Sequence, residues 1–314
     1  MKKFIYSFIL ILFSTMLFSA NITRKTFKLK GEIKKWVSEY FSTDEGRKKI
    51  FTEITIFNAD GTIREKEKYL ENKFLFKEIY TYENNKLISY EKYNKPNVLS
   101  LKEKYTYINN HLFKTFHYSQ NRLTHITSYI YEKSGKKITS IKKTNKGFVT
   151  LKTLTEYDNN DNEILRIVYT NRNHELYRIE KKYQNKKIIS TAQYRFRKLQ
   201  SRTNYEYQND NRLTELSFDN NNVLIKKLIS QYRNNQLIRE DLWYRGKYEG
   251  FTIYKYDNNG QLIERLTTTP QNKLFMRLIL RYDGKGNIKT LERFCPLCQN
   301  KPKHTYIVNS YEYF

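Results

Sequence analysis

The sequence predicts an all-β chain, a long antiparallel β-meander of ~25-residue double-hairpin repeats coiled into a sheet or a solenoid-like form. Three observations carry this. A phrase of two tyrosines, a polar turn and a leucine stands as YKYDNNGQLIERL at Tyr254 to Leu266, and it returns as YTYENNKLI from Tyr80, YTYINNHLF from Tyr105 and YEYQNDNRL from Tyr205. Aligned on the last aromatic before each turn, the series runs Phe57, Tyr82, Tyr107, Tyr131, Tyr157, Tyr183, Tyr207, Tyr232, Tyr256, Tyr282 and Tyr306, with every interval between 24 and 26 residues. A second series falls midway at Tyr69, Tyr93, Tyr118, Lys143, Tyr169, Tyr194, Phe218, Tyr244, Thr269 and Phe294, so two flavours of a shorter unit alternate.

Each unit is a run of alternating apolar and polar residues followed by Asn, Asp or Gly, the residues that tolerate the left-handed backbone of a tight reversal. That reads as one strand and one hairpin corner, with successive corners at opposite edges. Alternation places Tyr80 and Tyr82 on one face and Ile79 and Thr81 on the other, and it sets Thr203, Tyr205 and Tyr207 against Arg202, Asn204 and Glu206. One face is therefore aromatic and needs partial cover. Tyr82, Tyr107 and Tyr131 are expected to form a ladder two strands apart, with rings packed and hydroxyls reaching water or a partner. As a single open layer such a meander would be extended, with a radius of gyration of ~30 Å for a rod against ~19 Å for a compact globule.

At the amino end, MKKFIYSFILILFSTMLFSA has two lysines, an apolar run and small residues at Ser19 and Ala20, the form of a secretory signal over residues 1–20, with an uncleaved anchor as the alternative because Phe18 stands where cleavage after Ala20 takes a small residue. Residues 21–314 are expected to form a single hairpin-repeat domain, clearest over 52–314, in an exported protein of periplasm, cell surface or medium. Between signal and clear repeats, Ile33, Trp36, Val37, Tyr40 and Phe41 have helical spacing. Extending the ruler backwards instead puts turns at Lys30-Gly31 and Asp44-Glu45-Gly46, and strands are the favoured reading there.

The chain of 314 residues carries 58 Lys and Arg against 32 Asp and Glu. Without Lys2 and Lys3 this leaves 56 against 32, a mature charge of +24. Such a charge attracts anionic partners over a distance, and it also serves solubility alone. Aromatics at 16% exclude an ordinary disordered tail.

Tyr254-Lys255-Tyr256-Asp257-Asn258-Asn259-Gly260-Gln261-Leu262 resembles the YD repeat of bacterial Rhs-type surface and toxin proteins, whose core runs Y-x-Y-D-x-x-G-x-L. Tyr282-Asp283-Gly284-Lys285-Gly286-Asn287-Ile288 is a second match, and Phe57-Asn58-Ala59-Asp60-Gly61-Thr62-Ile63 is similar also to the MORN-like repeats of antitoxin-related proteins. Most other repeats lack the glycine and the aspartate, Asn85 and Asn110 standing nearby. The resemblance implies a β-hairpin array, export, and carbohydrate binding or the encasing of toxins. Its MORN-like side implies an antitoxin or immunity-like protein-interaction module.

No hydrolase elbow, zinc-protease helix, phosphate loop or dinucleotide fingerprint occurs, so no enzyme activity and no cofactor are expected. Asp158-x-Asn160-x-Asn162 opens like a calcium loop, but Glu163 stands where the loop needs glycine. Cys295 and Cys298 fall on a corner, where export favours a disulfide; a redox pair, or zinc held with His304, are the alternatives. His117 and His125 face each other across a hairpin if its corner is Asn121, and His111 lies near, but no metal site is assigned.

Lys181, Lys182, Lys186, Lys187, Arg195, Arg197, Lys198 and Arg202 form a run with no acidic residue between its ends, interleaved with Tyr183, Tyr194 and Phe196. Interleaved bases and aromatics suit an anionic polymer or glycan. Edge lysines that keep sheets apart would look the same. Nucleic acid is the less apt partner for an exported chain. The sequence thus points to a non-enzymatic binding or structural scaffold of the cell envelope with a polymer, glycan or protein partner.

Overall fold

A computed structural model describes residues 27, 29–43, 46–208, 212–298 and 304–314; the signal segment, residues 1–20, lies outside the described residues. The strands are β1 (Ile33–Ser42), β2 (Lys48–Phe57), β3 (Ile63–Leu70), β4 (Lys73–Glu83), β5 (Lys86–Lys95), β6 (Val98–Ile108), β7 (His111–Ser119), β8 (Arg122–Tyr131), β9 (Lys137–Thr144), β10 (Val149–Tyr157) and β11 (Glu163–Thr170). There follow β12 (Glu175–Gln184), β13 (Lys187–Arg195), β14 (Lys198–Gln208), β15 (Arg212–Asp219), β16 (Leu224–Arg233), β17 (Gln236–Tyr244), β18 (Lys247–Tyr256), β19 (Leu262–Thr268), β20 (Leu274–Tyr282), β21 (Ile288–Phe294) and β22 (His304–Tyr313). Each pairs antiparallel with the next, as the repeat predicts.

The meander does not stay open. β1 pairs antiparallel with β22 over Ile33 to Ser42, so the 22 strands close into a barrel rather than a solenoid or an extended rod. The reason is general: sheet twist accumulates over many strands, and closure removes the two unpaired edges that an open meander would expose. The chain ends meet at the seam, where the Phe314 amide donates to the Glu32 carbonyl at 3.0 Å. Asn287 clamps the entering chain, accepting from the Lys30 amide at 2.6 Å and donating to the Lys30 carbonyl at 2.9 Å.

The early segment is strand, not helix. In β1, Trp36, Ser38 and Tyr40 share a face, and Gly31 takes the left-handed turn (φ 82°) that the ruler predicted. The ruler fails once, at the end. The connection from Phe294 to His304 is longer than the others, so Tyr311 takes the structural place that the spacing assigns to Tyr306.

Alternate connections gather on two rims. The turns β2–β3, β4–β5 and so on to β20–β21 lie with both chain ends on one, called here the terminal rim; the turns β1–β2 to β21–β22 lie on the other, the free rim. Two turn designs recur. The short one places two residues at positive φ, as at Asn84 (48°) and Asn85 (61°) or Asn109 (49°) and Asn110 (68°), which matches strand twist. In the longer one an aspartate closes the loop: Asp257 Oδ1 accepts from the amides of Asn259 at 2.9 Å and Gln261 at 2.8 Å. Asp158, Asp219 and Asp283 do the same, so the calcium-like stretch at Asp158 is a self-capped turn. Where the repeat lacks glycine, asparagine or aspartate takes the left-handed position, as at Asn222 (φ 63°) and Asp161 (φ 62°).

The recurring tyrosine has its own task. Backbone pairing between successive hairpins stops short of the terminal rim, for example at Ser89↔Lys104 between β5 and β6. Beyond that point the Tyr107 hydroxyl donates to the Leu87 carbonyl at 2.9 Å, beside the bulge that follows the β4–β5 turn. Tyr131 reaches Leu112 at 3.0 Å, Tyr207 Ile188 at 2.9 Å, Tyr256 Leu237 at 2.8 Å, Tyr282 Leu262 at 2.7 Å and Tyr311 Ile288 at 2.8 Å. A bulge leaves a carbonyl out of the ladder, and the phenol restores its partner.

The wall is one sheet thick. Strands approach only their ladder neighbours, and in β11 every residue keeps partial solvent contact. Among the described residues the buried apolar cluster sits beside the seam, where Ile33, Phe57, Ile63 and Tyr80 gather with Phe27, Trp36 and Tyr311.

Two outcomes are expected. Tyr107→Phe, Tyr256→Phe and Tyr282→Phe should each cost about 1 kcal/mol in chemical denaturation, the worth of one hydrogen bond. A Val37→Cys, Ser310→Cys pair, opposite each other across the seam, should cross-link on oxidation and shift mobility on a denaturing gel; an open solenoid gives no such bond.

Candidate functional site

A closed wall has two faces, and the register sorts the side chains between them. Trp36, Thr55, Tyr80, Tyr90, Tyr105, Thr115, Thr127, Tyr129, Ser230, Thr252 and Tyr254 fall on one. Most of the deeply buried side chains sit there, among them Ser230 at 2% exposure and Thr115 at 3%. Burial pushes the hydroxyls of Tyr82 and Tyr129 up to about 12 and raises those of Tyr80, Tyr90 and Tyr105 as well. This is the inward face.

Acids on it are held by tyrosines. Glu78 accepts from Tyr80 at 3.0 Å, Tyr90 at 2.9 Å and Lys92 at 3.2 Å. Glu103 is bound by Tyr105 and, at 2.9 Å, by His117 Nδ1; Glu240 is bound by Tyr254. The Glu-x-Tyr-x-Tyr spacing at Glu78 and Glu103 was a legible signal for these clusters, which the sequence reading missed. Glu215, opposite Tyr205, has its carboxyl raised above the ordinary range, first by burial and then by Glu240, with Lys226 opposing.

The outward face carries cross-strand ion pairs. Lys77 bridges Glu65 at 2.8 Å and Glu67 at 3.1 Å, Arg239 pairs with Asp241 at 2.7 Å, and Glu264 holds Lys255 at 2.8 Å and Arg277 at 2.7 Å. A membrane-spanning barrel needs an apolar band about 25 Å tall on its outer side. Among the described residues neither face offers one, because both carry charges at mid-strand.

The eight basic residues do not form one patch. Lys181 faces inward and bonds Glu163 at 3.0 Å, whereas Lys182 and Arg202 face outward. Lys186 and Lys187 sit on the terminal rim, and Arg195, Arg197 and Lys198 on the free rim. The hairpin that makes these residues neighbours in sequence sends its two turns to opposite ends of the barrel. Arg202 bonds Asn222 at 2.8 Å and lies 5.1 Å from the Phe218 ring; Lys187 lies 5.2 Å from the Tyr207 ring.

His117 and His125 are directly opposed, but His117 spends both ring nitrogens on Glu103 and, at 3.0 Å, Thr127. Burial, then the nearby Lys142 and His117, lower the His125 ring below its ordinary value. Among the described residues no group of three or more His, Cys, Asp or Glu is placed to hold a metal. Cys295 and Cys298 are joined as a disulfide on the free rim, and His304 bonds Glu292 at 2.8 Å.

No family model matches the chain, and no curated protein matches it either. Among solved structures, a porin-like protein from Bacteroides uniformis is similar at 7% identity and a TM-score of 0.33, over 90% of this chain and 99% of that one. A porin-like protein from Bacteroides vulgatus gives 12% identity and 0.24 over the same shares. The TcdB2-TccC3-Cdc42 complex gives 13% identity and 0.21, over 82% of this chain and 16% of that one. None of these likenesses is close enough to assign a fold or a role.

Glu215 generates a prediction. A carboxyl whose folded pKa is raised destabilises the fold above that pKa and leaves it untouched below the unfolded value. Glu215→Gln should therefore be more stable than the parent in urea at pH 7, and the difference should vanish below about pH 4.

Proposed function

We propose that this protein is an exported, non-enzymatic binding scaffold of the cell envelope, and that its ligand is an anionic polymer or glycan taken up by the inward face. The supporting observation is a closed wall one sheet thick whose inward face is lined by tyrosines with lysines among them. If circular, 22 strands at ~4.8 Å spacing make a wall about 34 Å across, wide enough to admit a polymer chain after side chains are counted. Tyrosine rings offer flat apolar faces to sugar rings, and the hydroxyls tied to carbonyls hold those rings in place. Lys142 and Lys181 project from the same face. The hairpin array resembling YD repeats supports the same reading, since that resemblance implies carbohydrate binding. The tyrosines are structural donors with buried, raised hydroxyls, which suits a recognition wall better than proton transfer.

Calorimetric titration with a sulfated glycan, against neutral dextran, tests this. Affinity for the sulfated chain should fall steeply with salt. Lys142→Ser with Lys181→Ser should weaken it about tenfold or more, at roughly 1 kcal/mol per lost charge contact. Equal binding of the two glycans, or no effect of the double substitution, overturns the reading.

A further inference from the structure

The two rims differ in chemistry. From the last residue of each strand through the first of the next, the described residues of the free rim include thirteen Lys and Arg and three acidic residues. On the terminal rim the same stretches hold nine basic and eight acidic residues. Exposed large apolar side chains follow the same division: nine lie in free-rim connections and one, Ile108, in a terminal-rim connection. Phe148 is 69% exposed, Phe196 58%, Val223 57%, Val98 53%, Leu297 47% and Leu70 44%.

One turn adds an observation of a different kind. Elsewhere among the described residues each short turn has Asn or Gly in at least one positive-φ position, as in Gln120-Asn121, Asn185-Lys186 and Arg245-Gly246, but between β13 and β14 the two positions are Phe196 (φ 49°) and Arg197 (φ 64°). Bulky residues are disfavoured in that region, and this turn has neither Asn nor Gly to ease it. Backbone held in a costly conformation at an exposed tip marks a functional position. The Phe196 ring lies 5.4 Å from the Arg195 guanidinium, and Arg197 and Lys198 complete a basic, aromatic point.

We propose that the free rim is a docking ring for an anionic lipid bilayer, on which the barrel stands upright without spanning it. Basic residues alone would suit any polyanion. Aliphatic tips such as Leu70, Val98, Val223 and Leu297 gain nothing from a hydrated polymer, but they gain by entering the boundary between lipid headgroups and acyl chains. Closure places all these tips around one end of the barrel, which a flat surface can meet together, and lysine and arginine between them meet the headgroups. Charges at mid-strand on both faces stop deeper entry. The inference stands apart from the interior ligand: failure of glycan binding leaves it intact, and its own failure leaves the interior reading intact.

The test is flotation of the full chain with vesicles of phosphatidylcholine alone or containing about one third phosphatidylglycerol. Binding is expected to the anionic vesicles only and to weaken with salt. R195S/R197S/K198S should lower it on the order of 100-fold, each basic residue near an anionic surface contributing about fivefold. F148S/F196S, which leaves charge unchanged, should lower it about tenfold. A terminal-rim control, K136S/K137S/K186S, removes equal charge and should bind as the parent does. All forms share the same amino-terminal segment, so any affinity of residues 1–20 is common to them, and circular dichroism checks that each remains strand. Equal losses for the two basic triples, no binding to anionic vesicles, or no effect of the phenylalanine pair would each overturn the docking ring.

Discussion

One hydrogen bond underlies the architecture, that from a tyrosine hydroxyl to a backbone carbonyl beside the bulge of the preceding hairpin. The hairpin turns introduce the bulges, and the bulges interrupt the ladder on the terminal rim. Without a donor there, successive hairpins would be joined at mid-strand and splayed at their ends. Tyr107, Tyr131, Tyr207, Tyr256, Tyr282 and Tyr311 supply it at 2.7 to 3.0 Å. Phenylalanine would pack equally well but would leave the carbonyl unpaired, which is the physical reason the phrase ends in tyrosine.

A wall joined in this way needs little core. Most of the chain relies on the ladder, on tyrosine–glutamate clusters within and on ion pairs outside, and close apolar packing is concentrated where the first and last strands meet. Individual surface ion pairs contribute little, so cohesion comes from the number of bonded strand neighbours rather than from any one contact. The seam is where apolar burial matters most, because closure there must overcome the entropy of joining the two ends of a long chain.

The same plan separates roles in space. Mid-strand residues face in or out by alternation, while turn residues belong to one rim or the other by the parity of the hairpin. A repeat of two alternating units can therefore vary its two rims independently. Here the terminal rim keeps three of the four aspartate-capped turns, at Asp158, Asp257 and Asp283, and a nearly even charge, and the free rim carries the excess of lysine and arginine with exposed phenylalanine, valine and leucine.

Much of this was legible in the residues themselves. Period and alternation specify strands, corners and the aromatic face, because turn chemistry and the two-residue pleat are local. Even the uncertain stretch from Ile33 resolves as strand on its turn signals. Three things were decided only by tertiary structure. Closure depends on twist summed over the whole sheet and on β1 meeting β22, which no local pattern encodes. The run from Lys181 to Arg202 looked like one basic patch, but the meander divides it among two faces and two rims, since neighbours in sequence are neighbours in space only within one turn. The tyrosine's partner lies on the adjoining strand some twenty residues earlier, and only the register of the assembled sheet brings that carbonyl within reach of the hydroxyl.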